Sequence, residues 1–305
     1  MALNKQVWLQ TIQENFFPDD SFAVKSIDDS AFISNKTVHV PNAGSPSRVV
    51  INRSQKPASV TSRNDNDLSY DIDELTTDPI YIPEIDKVEL SYDKRQSVIA
   101  NDRAQLQTTS AQNLLYRWGN VPTVFMTTGD SVPAYTSSTA TGYRKAITKA
   151  DVLKVSTKFN TDNVPQSGRY LLLDATMYNQ LLADLTEKEL SAFLASADAQ
   201  RGVLGRLYGF DVMLRSAVLR VKASDNTIIT WEADGMAAEK PAGLAWQETC
   251  VSRAMGEVKM FDNTDNPTYY GDIYSFLMRV GGSPRRYDKK GIALIVGDTG
   301  TAPQE

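Results

Sequence analysis

Apolar residues keep a helical spacing through residues 86–118, over about 33 positions. The residues that share this face are Val88, Tyr92, Ile99, Leu106 and Leu114. No proline or glycine interrupts the pattern until Gly119, and Pro122 follows. A helix of this length would be roughly 50 Å long, about the diameter expected for a globule of 305 residues. The pattern therefore predicts an extended protomer.

Residues 36–86 show short alternating stretches instead, such as Arg48-Val49-Val50-Ile51, broken by prolines and by a run of turn formers at 64–67. This pattern predicts a long two-stranded arm with a tip. With about 20 residues per strand at about 3.3 Å each, the arm would be roughly 65 Å long. It would project beyond a globular body.

Charge divides sharply within this arm. Residues 41–63 contain four basic residues and no acidic one, whereas residues 64–86 contain eight acidic residues and no basic one. The division favours pairing of opposite charges, across the hairpin or onto a neighbouring molecule, while a solvated loop is the alternative. The basic turn near Arg285 and Lys290 is one candidate partner for the acidic half. The arm residues expected at a subunit interface are Arg48, Arg53, Lys56, Arg63, Asp65, Asp67, Asp71, Asp73 and Glu74.

The first residues carry a shorter helical pattern, which Pro18 ends. It suits either a helix packed on its own core or an arm that lies on another molecule. In the second case Trp8, Phe16 and Phe17 would supply apolar contacts to the neighbour.

The remaining sequence mixes strand and helix patterns, which predicts an α+β fold. Residues 123–167 are rich in Ser, Thr and Gly, and 150–159 suit a strand or a short helix. A helix is expected to begin at Asp174 as its N-cap, and another to pass through Leu190 and Phe193. The other predicted elements are strands at 169–173, 210–214, 272–280 and 291–296, a glycine turn at 202–209 and a helix at 246–255.

Composition narrows the function classes. The hydrophobic fraction of 41% and the charged fraction of 23% are typical of a soluble globular protein. A net charge of −5 argues against a dedicated nucleic-acid binder. The single cysteine, Cys250, excludes a disulfide scaffold, and the single histidine, His39, leaves one candidate for histidine catalysis. His39 lies in the arm and Cys250 suits a buried position, so neither predicts an active site.

Motifs for catalysis or cofactor binding are missing from the sequence. It contains no G-x-S-x-G elbow and no P-loop, and Gly202, Gly205 and Gly209 do not fit a dinucleotide fingerprint. The acidic run at 65–74 lacks the glycine and the spaced glutamate of an EF-hand. The N-terminus has no signal-peptide pattern, and the apolar runs are shorter than the roughly 18 residues of a membrane span. No enzymatic activity, cofactor, metal or membrane is therefore expected.

Three segments combine recognisable short motifs. VPQSGRYLLL at 164–173 has the pattern P-x-x-G-R at the start of a strand and is followed by MYNQLL at 177–182. GVLGRLYGFDV at 202–212 has the pattern G-x-x-G-x-x-x-G-F-x-V, and the third segment extends from Gly281 to Ile292. These motifs resemble a strand with its following helix, a turn with its strand and the closing strands in the major capsid protein of tailed bacteriophages, and the order of the parts is also similar.

The resemblance implies the HK97-like fold. The expected parts are an N-terminal arm at 1–35, an extended loop at 36–85, a spine helix at 86–122, a mainly axial domain at 123–260 and returning peripheral strands at 261–305. It implies self-assembly through hexamers and pentamers into an icosahedral virion shell around double-stranded DNA, contacted without sequence specificity, after synthesis in the host cytoplasm. Portal and separate scaffold or decoration proteins would be partners. A nanocompartment shell and a soluble enzyme with an unrecognised site are the alternatives.

Overall fold

The computed structural model describes residues 21–42, 47–54, 56–57, 60, 62, 66–83 and 93–302. Four helices lie in this part of the chain: α1 Asp93–Gly119, α2 Lys149–Thr161, α3 Ala175–Asp184 and α4 Glu187–Ala195. The strands are β1 Ile27–Asp28, β2 Ile33–Ser34, β3 Thr37–Asn42, β4 Asn66–Asp71, β5 Asp73–Thr76, β6 Ile80–Pro83, β7 Val124–Met126, β8 Ser131–Pro133, β9 Tyr143–Lys145, β10 Arg169–Asp174, β11 Gly205–Leu207, β12 Phe210–Arg215, β13 Leu219–Lys222, β14 Ile228–Ile229, β15 Glu239–Gln247, β16 Val251–Asn266, β17 Gly271–Pro284, β18 Ile292–Val296 and β19 Thr299–Gly300.

An eight-stranded sheet forms the centre of the molecule. Its order is β11-β12-β10-β15-β13-β14, and β18 joins β15 to β7. Because successive side chains of a strand point to opposite faces, β10 supplies both faces with apolar groups. Tyr170 and Leu172 join the core that contains α1, whereas Leu171 and Leu173 join the core that contains α2, α3 and α4. The sheet is therefore covered by helices on both sides.

A five-stranded sheet is built around the long hairpin of β16 and β17. Its order is β1-β16-β17-β5, and β6 also pairs with β17. Helix α1 packs against β17, and Leu114 and Trp118 lie in one core with Met278 and Val280. Alternate residues of β17 are buried, which is the pattern of a strand with one face on a core.

Helix α1 confirms the long helical pattern as far as it is described. It ends at Gly119 as expected, and Leu106 and Leu114 are buried. Val88 and Tyr92 lie outside the described residues. Helix α3 also begins as predicted, because the Asp174 carboxylate accepts a hydrogen bond from the Met177 backbone N–H at 2.8 Å. Residues 150–159 form a helix, which settles the alternative left open there.

The helix expected at 246–255 is wrong. Trp246 lies in β15, a short 3₁₀ turn spans Glu248–Cys250, and β16 begins at Val251. The last two predicted strands are present as β17 and β18, but they lie in different sheets and do not pair.

Within the described residues, β3 and β4 pair over six residues of each strand at the base of the predicted arm. Much of 43–65 lies outside the described residues, so a length of about 20 residues per strand stays a prediction. Residues 73–83 leave the arm and pair with β17 through β5 and β6. None of the described helices combines the length and the apolar character needed to cross a membrane.

Candidate subunit interface

The base of the arm is fixed to the body by an apolar face. Val38 and Val40 of β3 and Tyr70 of β4 pack with Ile72 and with Ala254 of β16 in a small separate core. Burial raises the pKa of Tyr70 to about 12, so its hydroxyl stays protonated and accepts a hydrogen bond from Ser252 Oγ at 3.3 Å. The arm therefore leaves the body from an anchored two-stranded base.

Two acidic residues of the arm pair across this base. His39 Nδ1 lies 2.8 Å from Asp67 Oδ2, and Thr37 Oγ1 donates to Asp71 Oδ1 at 3.2 Å. Pairing across the hairpin thus occurs, but the partners are a histidine and a hydroxyl from β3, not the predicted basic residues.

Two further acidic residues bind the body of the same chain. Asp73 accepts hydrogen bonds from Asn113 Nδ2 at 2.8 Å and from Arg117 Nε at 3.0 Å, both on α1. Glu74 accepts one from Arg279 Nε of β17 at 3.1 Å. These bonds fix β5 on the sheet, so Asp73 and Glu74 orient the start of the returning segment.

The basic half of the arm faces solvent where it is described. Arg48, Arg53 and Lys56 are exposed, and so are the apolar side chains of Val49 and Ile51. Val60 is 98% exposed. A run of exposed β-branched side chains flanked by cationic ones is typical of a surface that meets another chain. Arg63, Asp65, Trp8, Phe16 and Phe17 lie outside the described residues.

The basic turn after β17 has partners within its own chain. Arg285 Nη2 lies 3.2 Å from Asp29 Oδ1, Arg286 Nε lies 2.9 Å from Asp288 Oδ1, and Lys289 Nζ donates to the Asn120 carbonyl. In one protomer this turn therefore does not meet the acidic residues described in the arm. The hypothesis that it meets the arm of a neighbour stays a prediction.

The candidates for chemistry do not converge on a site. His39 lies on the outer face of β3 and is bound to Asp67, and Cys250 is buried near Gln247. Burial raises the pKa of the Cys250 thiol, which keeps it in the unreactive protonated form. Within the described ranges, no group of three or more His, Cys, Asp and Glu side chains could hold a metal ion.

An exposed aromatic tip, consisting of Tyr269 and Tyr270, was missed by the sequence analysis. The two residues close the hairpin of β16 and β17, and their exposed fractions are 57% and 77%. The signal available in the sequence was the turn Asn266-Pro267-Thr268 directly before two tyrosines and a glycine. The predicted helix at 246–255 overlaps the start of β16, so the sequence pattern did not indicate the hairpin that this turn closes.

Sequence comparison finds no matching family model and no similar curated protein. Structural comparison finds capsids. The capsid of Ralstonia phage GP4 matches with a TM-score of 0.65 and 9% identity over 92% of this chain and 89% of that one. The capsid of Cyanophage P-SCSP1u gives 0.62 and 14% over 91% and 87%. The acid-stable capsid of Helicobacter pylori bacteriophage KHP30 gives 0.59 and 14% over 90% and 88%. The chain therefore has the fold of bacteriophage capsid proteins, as the resemblance predicted.

Proposed function

We propose that this protein is a major capsid protein that assembles into an icosahedral phage head around double-stranded DNA. The observation that carries the proposal is the structural match, which extends over about nine-tenths of both chains.

The surface of the protomer supports assembly. Val49, Ile51 and Val60 are almost fully exposed at the arm, and Tyr269 and Tyr270 are exposed at the far end of the long hairpin. Large apolar groups concentrated on projections lose contact with water only when another chain covers them. Contacts between copies would therefore stabilise the protomer by mass action.

Under this proposal the main partner is the protein itself, arranged in hexamers and pentamers. The N-terminal residues Trp8, Phe16 and Phe17 and the exposed arm would contribute apolar contacts, and the charged residues of the arm would contribute specificity. Portal and separate scaffold or decoration proteins would be further partners. DNA would be contacted without sequence specificity and only weakly, because a net charge of −5 does not favour tight binding of phosphates. Synthesis and assembly would take place in the host cytoplasm.

Electron microscopy and sedimentation of the purified, overexpressed chain test the proposal. We expect closed shells in the megadalton range. The proposal would be contradicted by a chain that stays a monomer or a small oligomer at high concentration, both alone and when it is produced together with a separate scaffold protein. Nucleic acid or enzyme cargo inside particles isolated from the native source separates a phage head from a nanocompartment.

A variant that lacks most of the arm tests whether the arm is needed for assembly. Residues 47–60 are replaced by a Gly-Ser linker, which leaves the paired base of β3 and β4 in place. We expect a protomer with unchanged circular dichroism that no longer forms shells. Shells of normal size from this variant would remove the arm from the proposal.

A further inference from the structure

The aromatic tip is held in a defined shape. The backbone N–H of Tyr270 donates to the Asn266 carbonyl at 2.8 Å, and the Thr268 N–H donates to Asn266 Oδ1 at 2.8 Å. Tyr81 Oη donates to the carbonyls of Tyr269 and Tyr270, at 2.5 and 3.3 Å. These bonds tie the turn to β6, so the two tyrosines project from a braced support.

Tyr270 also adopts a costly backbone conformation. Its φ is +54°, in the left-handed region that glycine and asparagine prefer. A bulky side chain at such a position is uncommon, and its ring gains no burial in return because it is 77% exposed. The protomer alone gives no reason for a tyrosine at this place, whereas contact with another chain does.

A basic cleft of about 350 Å³ lies at the opposite end of β17. Its walls include the aromatic and apolar side chains of Leu68, Tyr70, Tyr116 and Pro284. Tyr287, which is 71% exposed, stands at its edge. Such a space suits an aromatic ring, which packs against other rings at offset or edge-on angles.

Cationic groups complete the cleft. Arg117, Arg286 and Lys289 also line it. Guanidinium and ammonium groups bind the faces of tyrosine rings and attract carboxylates. Arg117 pairs with Asp73 and Arg286 with Asp288 in the same chain, whereas Lys289 Nζ donates to the neutral carbonyl of Asn120, so Lys289 leaves the cleft with a surplus of positive charge.

The segment around the aromatic tip has the opposite charge. Residues 261–272 contain three acidic residues and no basic one, but Asp272 is buried and accepts a hydrogen bond from Tyr274 Oη, so it does not belong to the surface. Asp262 is exposed next to Phe261, whose side chain is 50% exposed. The exposed carboxylate of Asp262 beside the tip is thus opposite in charge to Lys289 in the cleft, and both surfaces present aromatic rings.

One chain cannot bring these two surfaces together. They lie at the two ends of β17, which has 14 residues and pairs with β16 along its length. A strand of that length separates its ends by roughly 40 Å. Any contact between the aromatic tip and the basic cleft must therefore join two copies of the chain.

We propose that the aromatic tip of one copy inserts into the basic cleft of a second copy, with Tyr270 against Tyr287. This inference rests on the proposed function and deepens it by naming the surfaces of one contact. Because the two surfaces are different, the contact is head-to-tail and every chain can serve as donor and acceptor at once. That is the type of contact from which rings and shells are built.

Cross-linking tests the contact. Chains that carry both Tyr270→Cys and Tyr287→Cys are assembled with an equal amount of the unsubstituted chain and treated with a short bismaleimide. We expect covalent dimers and longer ladders on a denaturing gel, and cross-linked peptides that join positions 270 and 287. The native Cys250 is buried and should not react before denaturation.

The control uses Tyr208, another exposed tyrosine with a positive φ in a hairpin turn. Chains with Tyr208→Cys and Tyr287→Cys should give no ladder. Particles that form without a link between 270 and 287, or that link equally in the control, overturn the inference and leave the proposed function intact. Absence of particles from the unsubstituted chain, seen by microscopy beforehand, counts against the proposed function instead.

A second variant measures the contribution of the ring. Tyr270→Gly removes the side chain and relieves the positive φ, so the protomer should be as stable as the unsubstituted chain. We expect the protein concentration needed for half-maximal assembly to rise at least tenfold. An unchanged assembly midpoint would contradict the insertion of Tyr270.

Discussion

Arg117 of helix α1 holds the carboxylate of Asp73 at the start of β5, with Nε 3.0 Å from Oδ2 and Nη2 2.5 Å from Oδ1. The two residues are 44 positions apart in the sequence. The bond joins the returning end of the arm to the long helix, and both side chains are partly shielded from solvent. It sets where the arm begins to leave the body.

Replacing Asp73 by Asn should weaken this attachment. The amide keeps the shape but removes the charge, and we expect a loss of about 1–2 kcal/mol, since the pair is partly exposed. Urea titration, which gives the free energy of unfolding, measures this loss of stability. Asp78→Asn is the matched control, because Asp78 is an exposed carboxylate of the same segment and should change stability by less than about 0.5 kcal/mol. Equal effects of the two substitutions would argue against an anchoring role of Asp73.

Asp151 should make the protein sensitive to acid. Burial raises the pKa of this fully buried carboxyl, but hydrogen bonds from Lys154, Thr128 and Thr148 outweigh burial and hold the pKa below its ordinary value of 3.8. The native state therefore binds the proton more weakly than the unfolded chain. The stability from Asp151 is fully present above about pH 4 and is lost as the pH falls through the native pKa.

Asp151→Asn tests this directly. The amide oxygen can still accept from the Thr128 and Thr148 backbone N–H groups that bond to Oδ2, but the amide nitrogen cannot accept from Lys154 Nζ and Thr128 Oγ1 as Oδ1 does. We expect a loss of about 2–3 kcal/mol at pH 7, together with a smaller decrease in stability between pH 4 and 2. The melting temperature of both proteins, measured at pH 7 and between pH 4 and 2, tests both expectations. A variant that keeps the full acid dependence would show that other carboxyls cause it.

Asp174 should behave in the opposite way. Burial raises its pKa, and the hydrogen bonds from the Met177 backbone and from Tyr135 only partly offset that effect. The native state here binds the proton more tightly, so stability from this group is greatest at low pH and is lost as the pH rises through the native pKa. Asp174→Asn, which keeps an equally good N-cap without the charge, should leave stability at pH 7 unchanged or raise it by about 1 kcal/mol.

The control at this position is Asp174→Ala. It removes the acceptor of the Met177 N–H and should cost about 1 kcal/mol. Calorimetry at pH 7 compares the two variants. A marked loss in the asparagine variant would mean that the charge itself stabilises α3.

Charge reversal in the arm tests electrostatic recognition between copies. The triple variant Arg53→Glu, Lys56→Glu and Arg63→Glu should fold normally, because Arg53 and Lys56 are exposed, and should fail to form normal shells. The variant Arg53→Lys, Lys56→Arg and Arg63→Lys keeps the charges and should assemble. Electron microscopy of both variants shows whether shells form. Normal shells from the reversed variant would exclude a contribution of these charges to assembly.

Much of the fold follows from local patterns. The face of α1, the N-cap at Asp174 and the apolar strand β10 were predictable because each depends on residues close in sequence. The capsid resemblance depended on the order of short phrases, such as the glycine turn before Phe210, and the structural comparison confirms the fold it implied.

Long-range pairing explains the errors. Trp246, Cys250 and Ala254 recur every four residues, which imitates a helix, yet β15 is buried on both faces and β16 continues into the hairpin. Residues 73–83 suited an arm by composition, but their backbone pairs with β17 about 200 positions later. The partners of Asp73 and Glu74 were hidden for the same reason.

Trp118 joins the two large sheets of the protein. Its indole N–H donates to the Ser252 carbonyl of β16, while its ring lies 5.8 Å from that of Trp246 in β15. One fully buried side chain thus ties together both large sheets, and bending one against the other would expose it to water. Under the proposed function, differences in curvature between pentameric and hexameric positions should consequently be absorbed by flexing of the outlying ribbons, with the joint at Trp118 kept rigid.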